Sequence, residues 1–173
     1  YKRQYSDIKF IENPLYSKTN NISSALAAID HFEDAYVFES DLLLENQCLL
    51  TPYQYRSNYL GIDVDSTDDW RFLTDENERI CDLAKGDENR CWQMVGVSYW
   101  EKSDAHRLAE DIREVFETEE GKQIFWDEVP ILHKNEHFDL YVRPCKSEDI
   151  VEIDDFEDLQ RIDPSYIVKK KAV

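Results

Sequence analysis

Two aspartates closing apolar runs are the residues of this chain best placed to do chemistry. AYVFESD ends on Asp41 and IVEID ends on Asp154. In open α/β sheets ligands gather outside the carboxyl ends of strands, so a carboxylate there can hold a metal against a phosphate. Magnesium needs few protein carboxylates when a nucleotide's phosphates supply its other oxygens. Taken singly, a strand-end aspartate is more often a cap or turn residue. Spacing alone does not bring these two together.

Aromatic residues next to acids form a second set: Asp68-Asp69-Trp70, Tyr99-Trp100-Glu101 and Phe125-Trp126-Asp127. A quaternary ammonium cannot donate hydrogen bonds, so proteins hold it against aromatic faces with a carboxylate nearby. The competing use of such residues is a core or an interface anchor. Trp92 has no acidic neighbour and is assigned to the core. His133 and His137 have the spacing of a helical zinc pair, but the polar stretch around them points to a loop or helix end. Ser98 lacks the flanking glycines of a nucleophile elbow.

The elements that must position these residues follow from periodicity. KFIE (9–12) is expected as a short strand ended by Pro14. Asn20 or Asn21 can cap a helix over ISSALAAIDHF, with Ile22, Leu26 and Ile29 on one side. The strand ending at Asp41 comes next. NYLGIDVD, DWRFLTD, RICDLA and CWQMVGVSYW then read as a meander, with DENE (75–78) as a hairpin turn. Ser103 is expected to cap an amphipathic helix burying Leu108, Ala109, Ile112, Val115 and Phe116. A helical piece, KQIFWDEVPIL, is followed by the short strands FDLYVRP and DIVEID and a closing helix, DDFEDLQRI. The fold class is therefore α/β, a mixed twisted sheet flanked by helices, in one domain over 1–163 with a tail or linker over 164–173.

The 173 residues suffice for one full core, and the 42% hydrophobic content suits a globular protein. A net charge of -18 argues against nucleic acid as a partner, because a phosphate backbone would be repelled. No apolar run is long enough for membrane insertion. Cys48, Cys81, Cys91 and Cys145 lack CxxC spacing and read as the reduced thiols of a cytoplasmic protein. None of the four glycines belongs to a phosphate-binding loop pattern.

NPLYSKTNNISSALAA, AYVFESD, DDWRFL, VGVSYW, IFWDE and VEIDDFEDL stand in the order found in bacterial CTP:phosphocholine cytidylyltransferases. From about Ile8 to about Ile162 the chain resembles that nucleotidyltransferase family, which has the Rossmann-like fold of the nucleotide-diphospho-sugar transferases. The resemblance implies that phosphocholine attacks the α-phosphorus of CTP, giving CDP-choline and pyrophosphate. It implies that Asp41 and Asp154 are catalytic and hold magnesium. It implies a choline box of Trp70, Phe125, Trp126 and Asp127, with Trp100 and Glu152 as further candidates. Asn20, Asn21 and Ser24 match the stretch that faces the nucleotide. Phe125 stands where the family often has a tyrosine, which leaves that position without a hydroxyl.

The family opens with a strand, a glycine-rich loop bearing a basic residue, and a further lysine, all of which neutralise the triphosphate. None of these is found here. The expectation is a chain incomplete at its N-terminus by one β-α-β unit and inactive alone, unless another chain supplies that unit. Other acceptors keep the same chemistry: phosphoethanolamine, an aminoalkylphosphonate or a sugar phosphate. A non-catalytic choline-binding module is the alternative of a different class. The basic tail suggests a fused or associated choline kinase. The sequence leaves the oligomeric state open.

Overall fold

The computed structural model describes residues 4–167. Helix α1 spans Ile22–Ala28 and continues as a tighter turn, Ile29–His31. Strands β1 (Ala35–Phe38) and β2 (Leu42–Leu44) follow, then β3 (Asn58–Val64), β4 (Thr67–Thr74), β5 (Ile80–Asp87) and β6 (Cys91–Trp100). Helix α2 spans Lys102–Val115, β7 Tyr141–Cys145, β8 Ile150–Glu152 and α3 Phe156–Ile162. The six-stranded sheet runs β5-β4-β6-β3-β7, with β1 also on β6; all pairs are antiparallel except β3–β7. The expected α/β class with a mixed, helix-flanked sheet is what forms.

β6 explains the layout. Its first half pairs with β4, Phe72 opposite Trp92 and Arg71 opposite Gln93. Its second half pairs with β1, from Phe38 opposite Val97 to Ala35 opposite Trp100. β4 and β1 thus lie end to end along β6, and the break between them falls at Gly96. Alternation along β6 and β3 sends side chains to opposite faces. Tyr59, Trp92 and Trp100 join the core under α1 and α2, to which α2 contributes Ala105, Leu108, Ala109 and Ile112 at helical spacing. Leu60, Val95 and Val97 join a smaller cluster with Leu42, Leu44 and Ile150 of the β2–β8 pair.

Several expectations are corrected. Residues 9–12 form no strand; they lie outside both sheets, with Phe10 and Ile11 exposed. β1 stops at Phe38, so Asp41 sits in the connection to β2 and not at a strand end. Ser103 is not the cap of α2: that position is Glu101, and the Ser103 hydroxyl turns back to the Glu101 carboxylate. KQIFWDEVPIL breaks into a short turn at Gly121–Gln123 and a wide turn at Val129–His133, with Pro130 inside the second. His137 hydrogen-bonds to buried Asp111 at 2.8 Å, in keeping with a structural histidine. The four cysteines are free. Of the expected tail, Pro164–Tyr166 forms a turn; residues 168–173, with the basic cluster, lie outside the described residues.

Candidate active site

Two strands of three residues bring the carboxylates together. β2 and β8 pair antiparallel, Leu42 opposite Glu152, and the Ile153 amide donates to the Asp41 carbonyl at 2.9 Å. Glu152 and Asp154, two apart, project to the same side as the adjoining Asp41. Carboxylate oxygens of Asp41, Glu152 and Asp154 all lie within 4.8 Å of one another. Among the described residues, no lysine or arginine forms an ion pair with any of the three. An all-oxygen set of this charge and spacing fits a hard divalent cation such as magnesium. Its repulsion shows in Glu152, which burial first and then the charges of Asp154, Asp69 and Asp41 push up to about 7.

Beside this cluster, the break between β1 and β4 opens a cavity of about 140 Å³. Trp70 and Phe125 form its aromatic wall, edge to face with centroids 6.4 Å apart. Five carboxylates line it: Glu39, Asp69, Asp127, Glu128 and Glu152. Asp127 is buried and accepts a 2.9 Å hydrogen bond from the Tyr59 hydroxyl. Burial is the main reason that Asp127 is raised to about 8, with Glu39 and Glu128 adding to it and the Tyr59 hydrogen bond opposing it. Glu39 is raised too, by burial and then by Asp41, Asp69 and Asp154. A partly enclosed cavity lined by five carboxylates and no basic side chain can receive a cation.

Gly96 makes room for it. Its φ is +65°, and a Cβ there would lie 2.5 Å from Glu39 Oε2. Gly96→Ala is therefore expected to cost about 1–3 kcal/mol through backbone strain and the displaced carboxylate. Thermal unfolding checks this, with a fall in Tm of several degrees expected.

A larger hollow of about 640 Å³ adjoins the first and shares Glu39 and Phe125 with it. Its walls include Asn21, Ser24 and Ala25 of the α1 region, Asp41, and Trp126.

The residues expected in the site therefore divide. Asp41, Asp154 and Glu152 meet, and Trp70, Phe125, Asp127 and Glu152 line the smaller cavity. Trp126 faces the larger hollow from the core. Trp100 is corrected: fully buried, it donates its indole N–H to Ser98 Oγ at 3.0 Å and reaches neither cavity. Asn20 is occupied by the Gln123 carbonyl, and the Asn21 side chain accepts from the Trp126 amide instead of capping α1. Glu39 and Glu128 were missed. Glu39 stands two residues before Asp41, but its burial depends on the glycine opposite it, which no local pattern reveals.

No family model matches the chain. It is 33% identical over 169 residues to the 2-aminoethylphosphonate cytidylyltransferase of Lancefieldella rimae, covering 96% of this chain and 68% of that protein. The chain belongs to the cytidylyltransferases. A choline-phosphate cytidylyltransferase of Haemophilus influenzae is 25% identical, with 95% of this chain and 72% of that protein covered. The solved CTP:phosphocholine cytidylyltransferase of Streptococcus pneumoniae superposes with a TM-score of 0.81 at 21% identity, over 95% of this chain and 71% of that one. That likeness shows the nucleotidyltransferase fold. No described helix of this cytidylyltransferase is long and apolar enough to cross a membrane.

Proposed function

We propose that this cytidylyltransferase transfers CMP from CTP to a small acceptor carrying a phosphate or phosphonate at one end and a primary ammonium at the other, such as 2-aminoethylphosphonate. The observation that carries this reading is the composition of the smaller cavity. Two aromatic rings and five carboxylates line it. A primary ammonium has three donors to satisfy and suits many acceptors, whereas a trimethylated head has none and suits aromatic faces. With Trp100 in the core and Trp126 behind the wall, one tryptophan remains to face the ligand. The relation to the Lancefieldella rimae protein favours the same acceptor class.

In this reading an oxygen of the acceptor's phosphonate or phosphate forms a bond to the α-phosphorus of CTP. The bond to the β-phosphate oxygen breaks, and pyrophosphate leaves. Such a displacement depends on positioning and charge neutralisation more than on covalent help. Asp41, Glu152 and Asp154 would hold magnesium, which when bound would neutralise charge on the reacting phosphates. Asp127 and Glu39 anchor the ammonium, Trp70 and Phe125 pack its alkyl chain, and Asn21 and Ser24 border the space for the nucleoside.

Phosphocholine is the second reading, favoured by the Trp70–Phe125 edge-to-face pair beside Asp127. Pyrophosphate release from CTP with magnesium separates the two. We expect kcat/KM at least about tenfold higher for 2-aminoethylphosphonate or phosphoethanolamine than for phosphocholine, the span of one or two lost charged hydrogen bonds. Preference for phosphocholine would reverse the assignment, and no turnover with any of them would end it.

A further inference from the structure

Behind the cavity wall lie two buried hydrogen bonds on neighbouring strands and turns. Trp100, Ser98 and Tyr59 are 0%, 2% and 1% exposed, and Asp127 is 5% exposed. The Trp100 indole donates to Ser98 Oγ at 3.0 Å, and the Tyr59 hydroxyl donates to Asp127 Oδ1 at 2.9 Å. An ionised carboxylate can only accept, so the Tyr59 proton points at Asp127. In the sheet, Tyr59 of β3 lies opposite Ser98 of β6. Three rings then hold the tyrosine, Trp100 and Phe72 at 6.0 and 5.7 Å and Trp126 stacked at 6.3 Å.

Resting on the acceptor assignment above, we propose that Tyr59, held by the rings of Trp100, Phe72 and Trp126, is a positioning residue that holds the Asp127 carboxyl toward the ammonium head group and so sets acceptor affinity. The other charged groups lining the cavity beside Asp127 are all carboxylates, Glu39 after β1, Asp69 on β4, its neighbour Glu128, and Glu152 on β8; of these, Glu39 and Glu128 tighten its hold on a proton. The Tyr59 hydrogen bond is the side-chain contact that counters them. The residue expected as a wall of the box, Trp100, thus acts from behind it.

Tyr59→Phe removes the hydroxyl and keeps the ring. In the magnesium-supported enzyme the acceptor KM at neutral pH should rise about tenfold, while kcat and the CTP KM change less than twofold. The pH at which acceptor affinity reaches half its plateau should move up by about one unit. In an Asp127→Asn background the same change should cost nothing further. If Tyr59→Phe does not fold, placing a fluorinated tyrosine at position 59, a stronger donor, answers the question by moving the profile the opposite way. An unchanged acceptor KM and pH profile in Tyr59→Phe, or equal losses for acceptor and CTP, would overturn the proposal. Failure of the wild-type enzyme to use any ammonium acceptor would instead overturn the acceptor assignment.

Discussion

Asp41→Ala is expected to lower magnesium-dependent CMP transfer by about 10²–10³-fold, measured as pyrophosphate release at saturating CTP and acceptor. The connection between β1 and β2 places Asp41 opposite β8, where its carboxylate joins those of Glu152 and Asp154 within 4.8 Å. Removing one of three mutually repelling carboxylates relieves the empty cluster while taking away a ligand. The free protein should therefore keep its Tm or gain slightly, and the Tm increase on adding magnesium should shrink. Activity loss without misfolding is the signature sought. If Asp41→Ala retained turnover within a few-fold of wild type, the carboxylate cluster would not be the metal site.

Asp127→Asn should raise the acceptor KM by about 10²-fold and leave the CTP KM within a few-fold, because a buried charge partner of the ammonium is lost. The pH dependence gives a second reading. Asp127 is raised to about 8, so below that pH an arriving ammonium must displace a proton. Acceptor affinity should climb with pH up to about 8 and fall again as an amine near pKa ~10 loses its own charge. The asparagine variant should lose most of the climb. Stability carries the opposite sign. A carboxyl raised from 3.8 to about 8 in the folded state holds its proton more tightly there than in the unfolded chain. Its contribution is full below the unfolded value and is lost as pH rises through about 8. Thermal unfolding between pH 5 and pH 8, as ~0.15 M salt buffers allow, should show the free wild-type protein losing Tm and Asp127→Asn losing less. An acceptor KM unchanged by the substitution would remove Asp127 from the head-group site.

Much of the fold was legible because its strands are regular. The meander from Asn58 to Trp100 shows alternation and turn residues that local chemistry dictates, and all four strands form. Legibility failed where a segment takes its state from a distant partner. KFIE has strand propensity but stays outside both sheets, and Ser103 yields the cap position to Glu101. Trp70, Trp100 and Trp126 carry the same local signal, an acid alongside, and meet three different fates. Trp70 lines the small cavity, Trp126 borders the large hollow, and Trp100 is sealed in the core.

The sequence by itself determined the α/β class, the family resemblance, and the two aspartates on which metal binding is proposed. These follow from residue type and order along the chain, which survive without coordinates. Tertiary structure alone decided that Glu152 joins Asp41 and Asp154, that Glu39 turns in over Gly96, and that five carboxylates outnumber two rings in the pocket. The physical reason is the junction on β6. Where β4 ends and β1 begins along one strand, a gap opens whose lining comes from segments far apart in the chain, and no local pattern records which side chains meet there.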